Sequence, residues 1–173
     1  LRSAIHWVPL IRDALANDKF TLVFQPVLDL KNKCITHYET LIRMIGTDGK
    51  LIEPGNFIPV AEKMGLTHDI DIWVVNRAIE ILHKLPEPDN QTSFNINLSS
   101  YAFQDATLLP MLKEKLNQTG VQASRITFEI TETAGIANFA QTREVLTNIG
   151  ELGCQFAFDG FGWGLSSISC IKE

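Results

Sequence analysis

From Ser93 onward, strand-like and helix-like stretches alternate: strands over 94–98, 126–131 and 154–159 are separated by helices over 108–118, ending at Gly120, and 139–152, ending at Gly153. Strands joined through helices pair in parallel, which confines the chain to an α/β architecture. Its 173 residues fit one domain, since about 100–200 residues make a domain. A Gly-rich turn and the start of a last helix follow Asp159.

Ahead of this alternation, Ile5, Val8, Ile11 and Leu15 recur at helical spacing behind Ser3, predicting an amphipathic leading helix over 3–16. Two β-rich runs, 20–28 and 34–42, flank a polar stretch over 29–33 that suits a hairpin. Gly46, Asp48, Gly49, Pro54 and Gly55 mark a loop, and 57–63 reads as a short helix ending near Gly65. A longer helix over 71–85 presents Val74, Ala78, Ile81, Leu82 and Leu85 on one stripe before Pro86 and Pro88 close it.

Hydrophobic residues make up 45% of the chain and charged ones 20%, enough to build a core and too apolar for a disordered chain. A net charge of −5 provides no chain-wide basic field, so a polymeric nucleic-acid partner is disfavoured. The apolar runs over 20–24 and 72–75 fall far short of the ~20 residues that span a bilayer. The first residues include His6, Arg12 and Asp13 and no initiator Met, so they do not resemble a signal peptide and read as an excised start. Cys34, Cys154 and Cys170, odd in number and set in apolar segments, are expected to be buried reduced thiols, as in a cytoplasmic protein.

The sharpest signal is which polar residues share a strand face. Phe94, Ile96 and Leu98 oppose Asn95 and Asn97; Ile126, Phe128 and Ile130 oppose Thr127, Glu129 and Thr131; Phe156 and Phe158 oppose Gln155, Ala157 and Asp159. If the apolar face meets helices in a barrel-like sheet, Asn97, Glu129 and Asp159 project inward near the C-terminal strand ends, where barrel enzymes place their chemistry. Glu39, ending a run over 34–38, could join them. Three carboxylates and an amide oxygen converging without a nearby Lys or Arg repel one another unless a cation neutralises them. All-oxygen ligands suit Mg²⁺, Mn²⁺ or Ca²⁺ better than Zn²⁺. Taken singly, each carboxylate could serve as a hydrogen-bonding or capping group, and Asn97 before Ser99 and Ser100 could cap the following helix. Their combination at equivalent strand ends favours a shared site.

Six blocks carry a resemblance: Phe24-Gln25-Pro26-Val27, Glu39-Thr40-Leu41-Ile42-Arg43, Phe57-Ile58-Pro59-Val60-Ala61-Glu62, Asn95-Ile96-Asn97-Leu98-Ser99, Phe128-Glu129-Ile130-Thr131-Glu132-Thr133, and Asp159-Gly160-Phe161-Gly162-Trp163-Gly164 before Ser166-Ser167. In this order they cover residues 20–172, and the chain resembles the EAL-domain family, bacterial phosphodiesterases that linearise the second messenger cyclic di-GMP. The resemblance implies a modified (β/α)8 TIM-like barrel with an antiparallel first strand, incomplete in this chain, with 1–19 a leading helix and 20–173 the N-terminal two-thirds of the barrel domain. It implies Glu39, Asn97, Glu129 and Asp159 as ligands of Mg²⁺ or Mn²⁺, two ions in the family. Glu39 and Glu132 are implied as catalytic, Glu132 by steadying the loop after the Asp159 strand. Gln25, Leu41 and Arg43 look like cyclic di-GMP contacts, with Arg43 gripping a phosphate or a guanine edge. Pro59 and Glu62 match the family and equally suit a helix start. A homodimer, an upstream sensory or cyclase domain in the full-length protein, and a place in the cytoplasm or on the cytoplasmic part of a membrane-anchored protein complete the expectation.

The chain departs from the family pattern in several places. Thr40 stands for the middle Ala of the signature, and Gly160 for the second Asp of an Asp-Asp pair, removing a second-ion ligand. Trp163 and Leu165 replace the usual Thr and Tyr of a loop that couples ligand binding to dimerisation. After Glu173 the family would continue to a Lys-bearing strand and a later Glu-bearing one, so a partial barrel is expected. Against hydrolysis stand a receptor module that binds cyclic di-GMP without cutting it, a structural or dimerisation domain with neither ligand nor metal, and a different metal-dependent barrel enzyme such as an aldolase or lyase.

Overall fold

The computed structural model describes residues 2–86, 91–103, 106–131 and 139–159. Among the described residues, five α-helices and six strands follow one another as α1 (Arg2–Ala16), β1 (Phe20–Asp29), β2 (Cys34–Ile45), β3 (Leu51–Ile52), α2 (Pro54–Lys63), α3 (Thr67–Lys84), β4 (Phe94–Leu98), α4 (Leu108–Thr119), β5 (Ile126–Thr131), α5 (Phe139–Glu151) and β6 (Gln155–Asp159). The strands form one sheet in the order β1-β2-β4-β5-β6, with β3 attached to β2. The first strand is antiparallel to β2, whereas β2, β4, β5 and β6 run parallel.

Period-2 alternation decides the layering. Phe94, Ile96, Leu98, Ile126, Phe128 and Ile130 are all buried on the sheet face that meets the helices. Facing them are Phe57 of α2, Val75 and Ile79 of α3, Leu112 of α4 and Ile149 of α5, each fully buried. Ile11 and Ala14 of α1 belong to the same core. Helix α4 ends as the sequence suggests: Gly120 adopts φ 69°, a left-handed conformation glycine takes without Cβ strain, and its N–H donates to the Leu116 carbonyl at 2.9 Å.

Several boundaries differ from expectation. Strand β2 continues to Ile45, so Glu39 sits inside a 12-residue strand and does not end a run at Tyr38. The expected loop contains β3, and α2 already begins at Pro54, whose fixed φ suits the first helical turn. Helix α3 starts at Thr67, and its buried stripe runs through Ile70, Asp71, Val74, Val75, Ala78, Ile79 and Leu82, leaving Ile81 and Leu85 half-buried. Cys154 is buried, but Cys34 is exposed, because it opens β2 opposite Asp29 beside the hairpin turn. Cys170, Glu132, Gly160, Trp163, Leu165 and the expected turn after Asp159 lie outside the described residues.

Candidate metal centre

Strand register shows how the predicted donors relate. Glu39 lies opposite Asn95, two residues before Asn97; Asn97 lies opposite Glu129; and Thr131, two residues after Glu129, lies opposite Asp159. Glu39, Asn97 and Glu129 therefore lie on the sheet face away from the helices, and Asp159 pairs two residues further along on β6, so the four positions do not share one rung. They climb toward the strand C-termini by two residues, none, then two. A (β/α)8 barrel with a shear of 8 over eight strands displaces neighbours by about one residue per strand, so this climb keeps the positions level relative to a barrel axis.

The side chains make diagonal contacts along the climb. Asn97 Nδ2 donates to Glu39 Oε1 at 3.3 Å, which leaves the amide oxygen as the Asn97 atom with lone pairs to offer a cation. Asn95, buried one step deeper, donates through Nδ2 to Glu129 Oε1 at 2.6 Å. Glu39 and Glu129 are half-buried and Asn97 is exposed. Two carboxylates and an amide make a set of hard oxygen donors that fits Mg²⁺, Mn²⁺ or Ca²⁺. Among the described residues no group of three His, Cys, Asp or Glu side chains converges; the described donors are two carboxylates and an amide, and Asp159 is described through its backbone pairing.

Around these donors, Gln25 is exposed opposite Glu39, and Leu41 is half-buried between Glu39 and Arg43 on the same strand. The Arg43 side chain is only 15% exposed, and its guanidinium donates through Nη1 to the Ile42 carbonyl at 2.9 Å and places Nη2 3.0 Å from Glu53 Oε2 at the start of α2. Pro59 and Glu62 are exposed on α2.

One polar pair was not anticipated. Asp71, at a core position of α3, accepts the Ser99 hydroxyl at 2.6 Å and the Ser99 N–H at 3.4 Å. Ser99 Oγ in turn accepts the Tyr101 N–H at 3.2 Å, so Ser99, and not Asn97, caps the 3-10 turn over Ser100–Phe103. Burial, outweighing the Ser99 bonds and the nearby His68, raises the Asp71 carboxyl to about 6, with Glu62 adding to the rise. The available signal is a carboxylate on an otherwise apolar helix stripe.

The family model of the EAL domain matches residues 10–173. Signaling protein YkoW of Bacillus subtilis is 36% identical over 163 residues, covering 94% of this chain and 20% of that protein. Cyclic di-GMP phosphodiesterase PdeF of Escherichia coli is 30% identical over 173 residues, covering 100% of this chain and 23% of that protein. The chain thus spans only 20% and 23% of the length of these two curated relatives. Among solved structures, the Xanthomonas citri FimX EAL domain in complex with c-diGMP matches with a TM-score of 0.89 at 27% identity, covering 98% of this chain and 66% of that one. No helix among the described residues is long and apolar enough to cross a membrane.

Proposed function

This chain belongs to the EAL domain family, and from that premise we propose that it hydrolyses one phosphodiester of cyclic di-GMP to the linear dinucleotide with Mg²⁺- or Mn²⁺-activated water. The observation that carries the reading is the presentation of Glu39, Asn97 and Glu129 on one sheet face of adjacent parallel strands, level across the sheet once shear is counted. PdeF, named as a cyclic di-GMP phosphodiesterase, supports the substrate.

In this proposal Glu39, Asn97 and Glu129, with Asp159 from β6, hold the cation. When bound, it supplies Lewis-acid polarisation of the phosphoryl oxygen and lowers the pKa of water toward neutrality. Arg43 orients a phosphate or a guanine edge through its planar fork, which Glu53 holds in place at 3.0 Å. Gln25 and Leu41 line the approach, and Glu132 steadies the loop beyond β6. Gly160 offers no side-chain oxygen, so a second ion has one ligand fewer than in the family. The protein acts in the cytoplasm as a homodimer, within a longer chain that carries a sensory or cyclase domain upstream.

Chromatography of the full-length protein incubated with Mn²⁺ and cyclic di-GMP tests the reading. Linear dinucleotide should accumulate, and Glu39→Gln should lower kcat at least about 100-fold, because even partners behind a metal ligand are worth 10–100-fold. Binding of cyclic di-GMP without product would replace hydrolysis by the receptor role. Absence of any thermal shift on adding nucleotide or metal would favour a structural domain.

A further inference from the structure

We propose that Asn95 is a positioning residue for Glu129, holding that carboxylate ready for a divalent cation. The inference rests on the metal-site reading above and adds a residue to it. Asn95 is 8% exposed, and a buried amide without partners costs free energy, so its placement needs a reason. Its bond to Glu129 Oε1 supplies one: at 2.6 Å it is short, and the acceptor carries a negative charge.

The contact is diagonal. Asn95 lies opposite Thr127, while Glu129 lies opposite Asn97, so the Asn95 amide reaches up one step of the sheet toward the C-terminal end of β5. With Oε1 engaged, the Glu129 side chain is restricted about its outer torsions, and Oε2 remains for the cation. Glu39 is bonded more loosely, by Asn97 Nδ2 at 3.3 Å. The two carboxylates are therefore unequally prepared: Glu129 is fixed from below, whereas Glu39 shares its oxygen with another proposed ligand.

Residue type matters here. Asparagine donates a hydrogen bond without adding charge, whereas an aspartate at the same place would bring a further negative group against Glu129. Leucine would keep the branched shape, with somewhat more bulk, and donate nothing. Partners of this kind behind metal ligands set ligand orientation and basicity.

The test uses Mn²⁺ binding by the nucleotide-free full-length protein, measured by calorimetry, for wild type, Asn95→Leu, Asn95→Ala, Glu129→Gln and the corresponding double variants. Asn95→Leu, which keeps the branched shape, should weaken Mn²⁺ binding about 10–100-fold. Combined with Glu129→Gln it should cost little beyond Glu129→Gln alone, because both changes act on one carboxylate. Wild-type affinity in the Asn95 variants, or losses that add independently in the double variants, would overturn the assignment while leaving the metal site standing. A wild-type protein that binds no Mn²⁺ would overturn the metal reading and this assignment with it. A second measurement needs no variant: the Asn95 side-chain amide resonance of wild-type protein should shift during a Mg²⁺ titration with the midpoint of metal binding. A resonance unmoved at saturating Mg²⁺ would also overturn the assignment.

Discussion

Asp71 and Ser99 join helix α3 to the C-terminal end of β4 through two hydrogen bonds to one carboxylate, from the Ser99 hydroxyl at 2.6 Å and from its N–H at 3.4 Å. Ser99 stands two residues beyond Asn97, so this pair anchors the backbone on which a proposed metal ligand is carried.

The same carboxylate makes stability depend on pH. Its folded value, about 6, lies above the ordinary 3.8, so its stabilising contribution is complete below about pH 4 and is lost as pH rises through 6. A rise of that size corresponds to about 3 kcal/mol. His68, which favours the charged form, and Glu62, which opposes it, face the group. Asp71→Asn should flatten the wild-type fall in unfolding free energy between pH 4 and 6, measured by urea denaturation across that range. An equal fall in the variant would assign it to other groups.

Thr40 is 3% exposed, and its hydroxyl oxygen has no hydrogen-bond partner among the described residues. It points to the helix side of β2, between Phe24 of β1 and Ile96 of β4. Thr40→Val keeps the shape and removes the stranded oxygen, so it should stabilise the protein by about 1 kcal/mol. A lower denaturation midpoint in the variant would mean that the hydroxyl is satisfied.

Arg43 and Glu53 form a pair with unequal surroundings, 15% and 66% exposed. Because Glu53 is open to solvent, Glu53→Gln should change stability by no more than about 1 kcal/mol. Under the proposed function, Arg43→Lys should act differently, raising KM for cyclic di-GMP about 10-fold with kcat nearly unchanged, since lysine lacks the planar fork proposed to grip the ligand. Steady-state rates identical to wild type would remove Arg43 from the ligand contacts.

The thiols should also separate. Burial pushes the Cys154 thiol up to about 12, whereas Cys34 is exposed at the start of β2. Iodoacetamide at pH 8 should alkylate Cys34 in the native protein and leave Cys154 unmodified until denaturant is added, as read by peptide mass spectrometry. Labelling of native Cys154 would show that its packing opens.

Much of this architecture is legible in the residues alone. Strands β4 and β5 match their expected spans because Phe94, Ile96 and Leu98, then Ile126, Phe128 and Ile130, alternate strictly between a core face and a polar face. Strand β2 is less transparent: beyond Ile42 it pairs with both β1 and β3, and the charged Arg43 on its inner face breaks the apolar run. Gly55 hides the start of α2, although Pro54 beside it is a good first helical residue. The Asp71–Ser99 pair cannot be read locally, because it joins residues 28 positions apart whose meeting depends on how α3 packs against β4. For the same reason the side-chain face of Asn95 is readable, but its diagonal bond to Glu129 is not.

The stepped placement of Glu39, Asn97 and Glu129 makes the site sensitive to any sliding of one strand along another. A slip of β4 by a single residue would turn Asn97 toward the helices and bring an apolar side chain to its place. Under the proposed metal site, ion affinity is thus also a gauge of strand alignment, and it should vanish abruptly, not fade, once that alignment is lost.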